Sequence, residues 1–182
     1  MRCTPETDVL FVIDLQDPFV SHLDRPESLL RRAEFLVRMA GLLGVPIIAT
    51  EQVPDRLGAT HDALRPYLPE PVAKDTFSSF AHPDVRAKWE ALDRPNAILV
   101  GAETHICVSQ TALDLRDAGA RVMVCPDALS SRSPEAHKLG MERLRDSGIV
   151  PAHTESVAYE WLRTSKNARF KEALGLVKLF SL

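Results

Sequence analysis

Short, unbroken apolar runs recur along this chain, with segments of helical spacing between them. The first run, Val9-Leu10-Phe11-Val12-Ile13, contains no polar residue. A strand with one face in water alternates apolar and polar positions, so a run of this kind is a strand covered on both faces. Comparable runs lie at 45–50, 72–74, 98–101, 121–126 and 149–153. Residues 26–43, 83–92, 104–118, 134–146 and 155–163 have the spacing of helices. In the first of these, Leu29, Leu30, Ala33, Leu36, Val37 and Ala40 form the apolar stripe. Alternating strands and helices build a mostly parallel sheet with helices on both faces, because each parallel crossover must travel back along the sheet. The expectation is an α/β fold with a six-stranded sheet, formed as a single domain over residues 1–182.

The boundaries carry turn chemistry. Pro26 suits a first helical position, and Gly41 or Gly44 can close that helix. Gly119 and Gly148 stop two later helices, and Ser133-Pro134 reads as a cap followed by the first helical residue. Pro151 places the last strand at a sheet edge. Residues 51–70 read as a polar loop, long enough to be functional or to carry its own short helix. Residues 127–132 read as a polar turn, and 167–182 as helical in its first half, with Phe170, Leu174 and Val177 on one side.

Charge and composition exclude several classes. A formal net charge of −3 gives no basic field for nucleic acid. No apolar run is long enough to span a membrane, and the first residues lack the apolar core of a signal peptide. Cys3, Cys107 and Cys125 are odd in number and have no C-x-x-C spacing, which fits free thiols in a reducing cytoplasm.

Three groups able to do proton or covalent chemistry fall at strand ends. Asp14 follows the first run, Lys74 ends the third, and Cys107 lies just inside the helix after 98–101. In a parallel sheet these ends share one edge, where open α/β sheets bind ligands. Taken singly, Asp14 reads as a turn residue, Lys74 as a surface charge and Cys107 as a small buried apolar residue. Taken together they point to a catalytic cluster. A thiol near a helix start is expected to have a lowered pKa, and the adjoining turn exposes N–H groups able to hold an oxyanion. Cys125, inside an apolar strand, is expected to have a raised pKa. Cys3 is expected near a mobile terminus, accessible but unactivated.

At these residues the chain resembles the isochorismatase-like cysteine hydrolase superfamily. The matching segments are Val12-Ile13-Asp14-Leu15-Gln16-Asp17-Pro18-Phe19, Lys74-Asp75-Thr76-Phe77-Ser78-Ser79-Phe80, the stretch 101–114 with Gly119, and Asp127-Ala128 with Ser131-Arg132. Thr50-Glu51-Gln52, Leu57-Gly58-Ala59-Thr60, Ser130-Ser131-Arg132-Ser133 and Phe170-Lys171-Glu172 narrow the resemblance to the isochorismatase-domain-containing branch. It implies strand order 3-2-1-4-5-6 and an Asp14–Lys74–Cys107 triad. Cys107 is then the nucleophile, Asp14 its proton acceptor and donor, and Lys74 the charge that favours the thiolate. The resemblance also implies a cis peptide at Ala102-Glu103 and an oxyanion hole from the N–H groups of Glu103 and Cys107. Gln16, Phe19, Phe77, Phe80 and His105 are the expected pocket residues. Members are usually oligomers, so a homo-oligomer is expected.

The related nicotinamidases carry an Asp-x-His metal motif after the second strand. Here Thr50-Glu51-Gln52-Val53-Pro54-Asp55-Arg56 stands there, with no histidine before His61, so no metal and no cofactor is expected. The resulting expectation is a hydrolase of small-molecule amide or related C–N bonds through a Cys107 thioester. Two alternatives stay open: hydrolysis of an isochorismate-type vinyl ether, which needs a carboxyl group and no thiol, or a non-catalytic oligomeric binding or scaffold protein that retains the triad. A dinucleotide site is rejected, since 101–107 has one glycine where a phosphate loop needs several.

Overall fold

The computed structural model describes residues 2–180; Met1, Ser181 and Leu182, which fall in the ranges considered above, lie outside the described residues. Six strands form one parallel sheet: β1 (Asp8–Ile13), β2 (Ile47–Gln52), β3 (Val72–Lys74), β4 (Asn96–Ala102), β5 (Arg121–Ser130) and β6 (Val150–Pro151). Their order is β3-β2-β1-β4-β5-β6, and every neighbouring pair is parallel. The chain therefore runs outward one way from β1, then crosses over and runs outward the other way from β4. The seam between β1 and β4 is the switch point at which such sheets open a crevice.

Eight α-helices are present among the described residues: α1 (Asp17–Val20), α2 (Pro26–Leu43), α3 (Pro54–Leu57), α4 (Pro83–Leu92), α5 (Ser109–Asp117), α6 (Pro134–Asp146), α7 (Thr154–Leu162) and α8 (Phe170–Phe180). Alternation along β1 divides the core. Leu10 and Val12 face one layer with α2, α7 and α8, while Val9, Phe11 and Ile13 face the other with α4, α5 and α6. Both faces of the strand are thus apolar, as its unbroken run requires. Ser133 caps α6 by accepting the Ala136 N–H, and Gly44 closes α2 at φ 73°.

Three expectations are corrected. Residues 127–130 are not a turn but the continuation of β5 past a bulge opposite Leu99 and Gly101. The Asp127 side chain there receives the Thr154 N–H and hydroxyl at the start of α7, so its polarity serves a helix end rather than a turn. Residues 51 and 52 belong to β2, so the loop starts later than expected; the rest carries α3, the short helix its length called for, and a 3₁₀ turn at Arg65–Tyr67. The tail is helical through Phe180, not in its first half alone, because Ala173 and Phe180 bury against α2, with Phe35 and Phe180 in contact at 6.0 Å between ring centroids. Leu174, expected on that face, is half-buried.

Gly101 shows what holds β4 against β1. It has φ 127°, and a Cβ there would lie 2.1 Å from the Ile13 carbonyl oxygen. Neither the backbone angle nor the space tolerates a side chain. Gly101→Ala is expected to destabilise the protein by about 3 kcal/mol or more, lowering Tm by roughly 6–12 °C in a thermal melt, since both steric overlap and a forbidden φ act at once.

Candidate active site

The C-terminal ends of β1, β2 and β3 and the turn after β4 bring four side chains together. Asp14 is the residue after β1. It has φ 51° and is wholly buried, and its N–H is tied to the Thr50 carbonyl across the sheet. Asp is among the few residues that enter this left-handed region readily. The Thr50 hydroxyl donates to Asp14 Oδ1 at 2.7 Å, and Lys74 Nζ donates to Oδ2 at 2.7 Å. The Cys107 thiol stands beside the same carboxylate, the two lining one cavity and each shifting the other's pKa. Asp14, Lys74 and Cys107 thus meet directly, with Asp14 in the middle.

Lys74 has three N–H bonds to satisfy, and with no solvent access they must be satisfied by protein. Asp14 takes one, Gln52 Oε1 another, and the Thr76 carbonyl accepts at 3.0 Å. Gln52 is held in turn. Its backbone N–H donates to Gln16 Oε1 at 2.7 Å, while Gln16 Nε2 donates to the carbonyls of Gln52 and Gly58. Gln16 therefore clamps β2 to the following loop and does not line the pocket.

Cys107 sits in a π-helical turn, Thr104–Val108, that feeds α5. The Thr111 hydroxyl donates to the Cys107 carbonyl at 2.7 Å and accepts the Ser79 N–H at 2.8 Å. The Ser79 hydroxyl lies 3.2 Å from Thr50 Oγ1. Buried hydroxyls thus connect the backbone of the thiol to the partner of Asp14. The Ala102–Glu103 peptide is cis, and the Glu103 backbone N–H acts to lower the Cys107 thiol. The Glu103 carboxylate accepts the Arg132 backbone N–H at 2.8 Å and its guanidinium at 2.5 Å.

Burial reverses one electrostatic expectation. The Cys107 thiol is pushed up to about 12, first by burial and then by the Asp14 charge; Lys74 and the Glu103 N–H act against these without overcoming them. The helix start does not lower it, because a turn packed inside the protein removes the solvent that would stabilise a thiolate. Burial likewise raises Asp14 above its ordinary 3.8, against the pull of Lys74, Thr50 and Cys107. Burial also acts to raise Glu103, but the hydrogen bonds and charge of Arg132 outweigh it and hold that carboxyl low. The Cys125 thiol is pushed up by burial, then by Asp127. Cys3 is not accessible: it is fully buried, its thiol faces Met123 Sδ at 3.4 Å, and burial together with Asp8 and Glu160 raises it. The N-terminal segment is held down because Asp8 gathers Thr4, Asn96 and Trp161 around its carboxylate.

A cavity of about 140 Å³ opens over the thiol. Phe19, Leu57, Phe77 and Ile106 form its apolar walls, and Gln52, Glu103 and Arg132 add polar edges beside Asp14 and Cys107. Phe80 is elsewhere, buried in the core with Arg86 over its ring at 4.9 Å. His105 turns away to Ser131 Oγ, at 2.9 Å, and packs under Gly140. Gln52 and Leu57 stand in the 51–70 loop that was expected to help complete the pocket, though neither was given a role of its own, and Ile106, Thr50 and Arg132 were given none. Arg132 stood in a recognised motif, but its meeting with Glu103 depends on the course of β5. Among the described residues, no three His, Cys, Asp or Glu side chains cluster as metal ligands would.

Comparison with known proteins adds three findings. A family model described as the isochorismatase domain matches residues 8–156. The mouse isochorismatase domain-containing protein 2A is 34% identical over 178 residues, covering 97% of this chain and 85% of that protein. The structure of the MAR1 ribonuclease from Caenorhabditis elegans is similar at TM-score 0.92 and 32% identity, covering 98% of this chain and 93% of that one. The Escherichia coli ycaC product, described as an octameric hydrolase of unknown specificity, shares the fold at TM-score 0.91 and 20% identity, over 97% of this chain and 89% of that one.

The hydrogen bond from Thr50 favours the ionised form of Asp14. In a carboxyl ¹³C titration, Asp14 is expected to titrate above 3.8, and Thr50→Val is expected to move its midpoint higher still.

Proposed function

Since the chain belongs to the isochorismatase family, we propose that it is a cysteine hydrolase of small amides or related C–N compounds, working through a Cys107 thioester. One observation carries this reading: a thiol open to a pocket stands beside a buried carboxylate that a buried ammonium holds in place. A hydrolase that needed only a carboxylic acid, as in vinyl ether cleavage, has no use for that thiol. A scaffold has no use for a solvent-free ion pair beneath a pocket, since such a pair is weak support for stability.

The steps follow from the geometry. With its pKa near 12, Cys107 rests as a thiol. As sulfur attacks the carbonyl carbon, its proton passes to Asp14, so the thiolate forms only when it is consumed. The negative charge on the carbonyl oxygen is met by N–H groups of the turn, with Glu103 placed to contribute one. Asp14 then gives the proton to the departing nitrogen as the C–N bond breaks, leaving a thioester and a free amine. Water attacks the thioester, loses a proton to Asp14 and releases the carboxylic acid, and that proton returns to sulfur. Lys74 keeps Asp14 oriented and offsets its charge throughout.

The C. elegans protein bears the name of a ribonuclease. For this chain a small molecule is the better-supported substrate: the cavity is small, its one arginine is already paired with Glu103, and the net charge is −3. We further propose a homo-oligomer, as the octamer described for the E. coli protein suggests, with the three thiols kept free in a reducing cytoplasm.

A screen of small amides tests the reading. Cys107→Ala is expected to lower kcat/KM by at least about 10³-fold, as removal of a nucleophile does, while sparing any vinyl ether hydrolysis. A mass increase on Cys107 equal to the acyl group, trapped by acid quench, is expected in the native enzyme; turnover without it would refute the thioester. Turnover is also expected to survive exhaustive chelation and dialysis, because each step is assigned to a protein group, and loss restored by zinc, iron or manganese would overturn that assignment.

A further inference from the structure

Resting on the hydrolase reading, we propose that the Glu103–Arg132 pair is a specificity device that restricts the pocket to uncharged substrates and rejects amides bearing a carboxylate. Arg132 alone would make this cavity a carboxylate receptor, since a guanidinium at a pocket wall matches a carboxylate with two parallel hydrogen bonds. Here one edge of the guanidinium is already used, and its charge is offset. Nε and Nη2 both donate to the Glu103 carboxylate, and the Arg132 backbone N–H donates to it as well. The pair is also asymmetric: the Glu103 side chain is 1% exposed and that of Arg132 is 65% exposed. The negative partner is inside and the positive partner leans to solvent.

The other charges over the cavity are spent in the same way. Asp14 is paired with Lys74, and the three N–H bonds of Lys74 are all taken by protein oxygens. Among the described residues that line the cavity, both cation–carboxylate pairs are closed, so an anionic substrate meets no unpaired cation there. The remaining walls are apolar. A carboxylate brought in would lose its water and gain no partner. An ammonium group would face carboxylates already neutralised and would likewise go unsolvated. A neutral amide loses little. At about 140 Å³ the cavity resembles in size the roughly 150 Å³ apolar cavity that accommodates benzene in another protein, which limits the acyl group to a few heavy atoms. Isobutyramide fits this description, whereas malonamate and glycinamide of similar size do not.

Alkylation of Cys107 tests the charge preference without requiring turnover. Iodoacetamide and iodoacetate are close in size and differ in charge, and each forms an S–C bond as iodide leaves and the thiol proton is lost. At pH 8, the iodoacetamide-to-iodoacetate rate ratio at Cys107 is expected to exceed that of glutathione by at least about tenfold. Glu103→Gln frees the guanidinium and is expected to lower that ratio several-fold. Arg132→Gln alters a mostly exposed side chain and leaves the buried carboxylate unshielded, so it is expected to move the ratio the other way. A ratio equal to that of glutathione in the native protein, or an Arg132→Gln ratio shifted toward iodoacetate, would overturn the inference even if Glu103→Gln fails to fold. In the amide screen, isobutyramide is expected to exceed malonamate and glycinamide in kcat/KM, and the reverse order would also overturn it. Failure of the hydrolase reading itself would show separately, as no turnover of any amide beside an intact alkylation preference.

Discussion

An ion pair without solvent access, Asp14 with Lys74, is the constraint around which the rest of the site is arranged. Both side chains are fully enclosed, and their charged atoms are 2.7 Å apart. Such a pair is tolerable only when every remaining donor and acceptor is satisfied, because desolvation of either charge costs several kcal/mol. Thr50, Gln52 and the Thr76 carbonyl supply those partners. Two come from β2 and one from the segment after β3, so the pair ties β1, β2, β3 and that segment to one geometry. Gln16 extends the same arrangement outward by locking Gln52 to Gly58 and so fixing the loop that carries Leu57 into the pocket.

The thiol is attached to this frame twice. Its sulfur stands beside Asp14, and its backbone carbonyl accepts from Thr111, which links through Ser79 to Thr50. Carboxylate and thiol are therefore positioned by one connected set of buried hydroxyls rather than by separate elements. The π turn that presents Cys107 also packs against α6, where a Cβ at Gly140 would come within 3.0 Å of the His105 Cα. The result is a thiol held protonated in its resting state. Reactivity toward general oxidants follows the thiolate, so a thiol of this kind reacts with them slowly.

Local pattern carried much of this. The unbroken run Val9–Ile13 identified a two-sided strand without any knowledge of its neighbours, because only burial on both faces tolerates such a run. Pro26, Gly44 and Ser133 marked helix ends through φ restriction and capping, which are properties of the residue itself. Asp14, Lys74 and Cys107 were legible because strand ends of a parallel sheet share an edge whatever the side chains between them. Asp127 and Ser130 misled for the same reason: their local preference is for turns, and only the arrival of Thr154 at Asp127 and of Asp24 at Ser130 makes an extended conformation the better one.

What the sequence determined by itself, then, was the alternation of elements and the edge on which the reactive groups fall, since both follow from periodicity and chain direction. What only the tertiary structure decided was the chemical state of those groups. The Cys107 thiol is high rather than low because burial and the neighbouring Asp14 outweigh a helix end, and neither depth nor neighbour is written in the residues beside it. Arg132 meets Glu103 because β5 continues past its bulge, and Phe80 and Gln16 turn into core and clamp because of what packs around them. Solvation and charge pairing are properties of position in space, and they become definite only when distant parts of the chain meet.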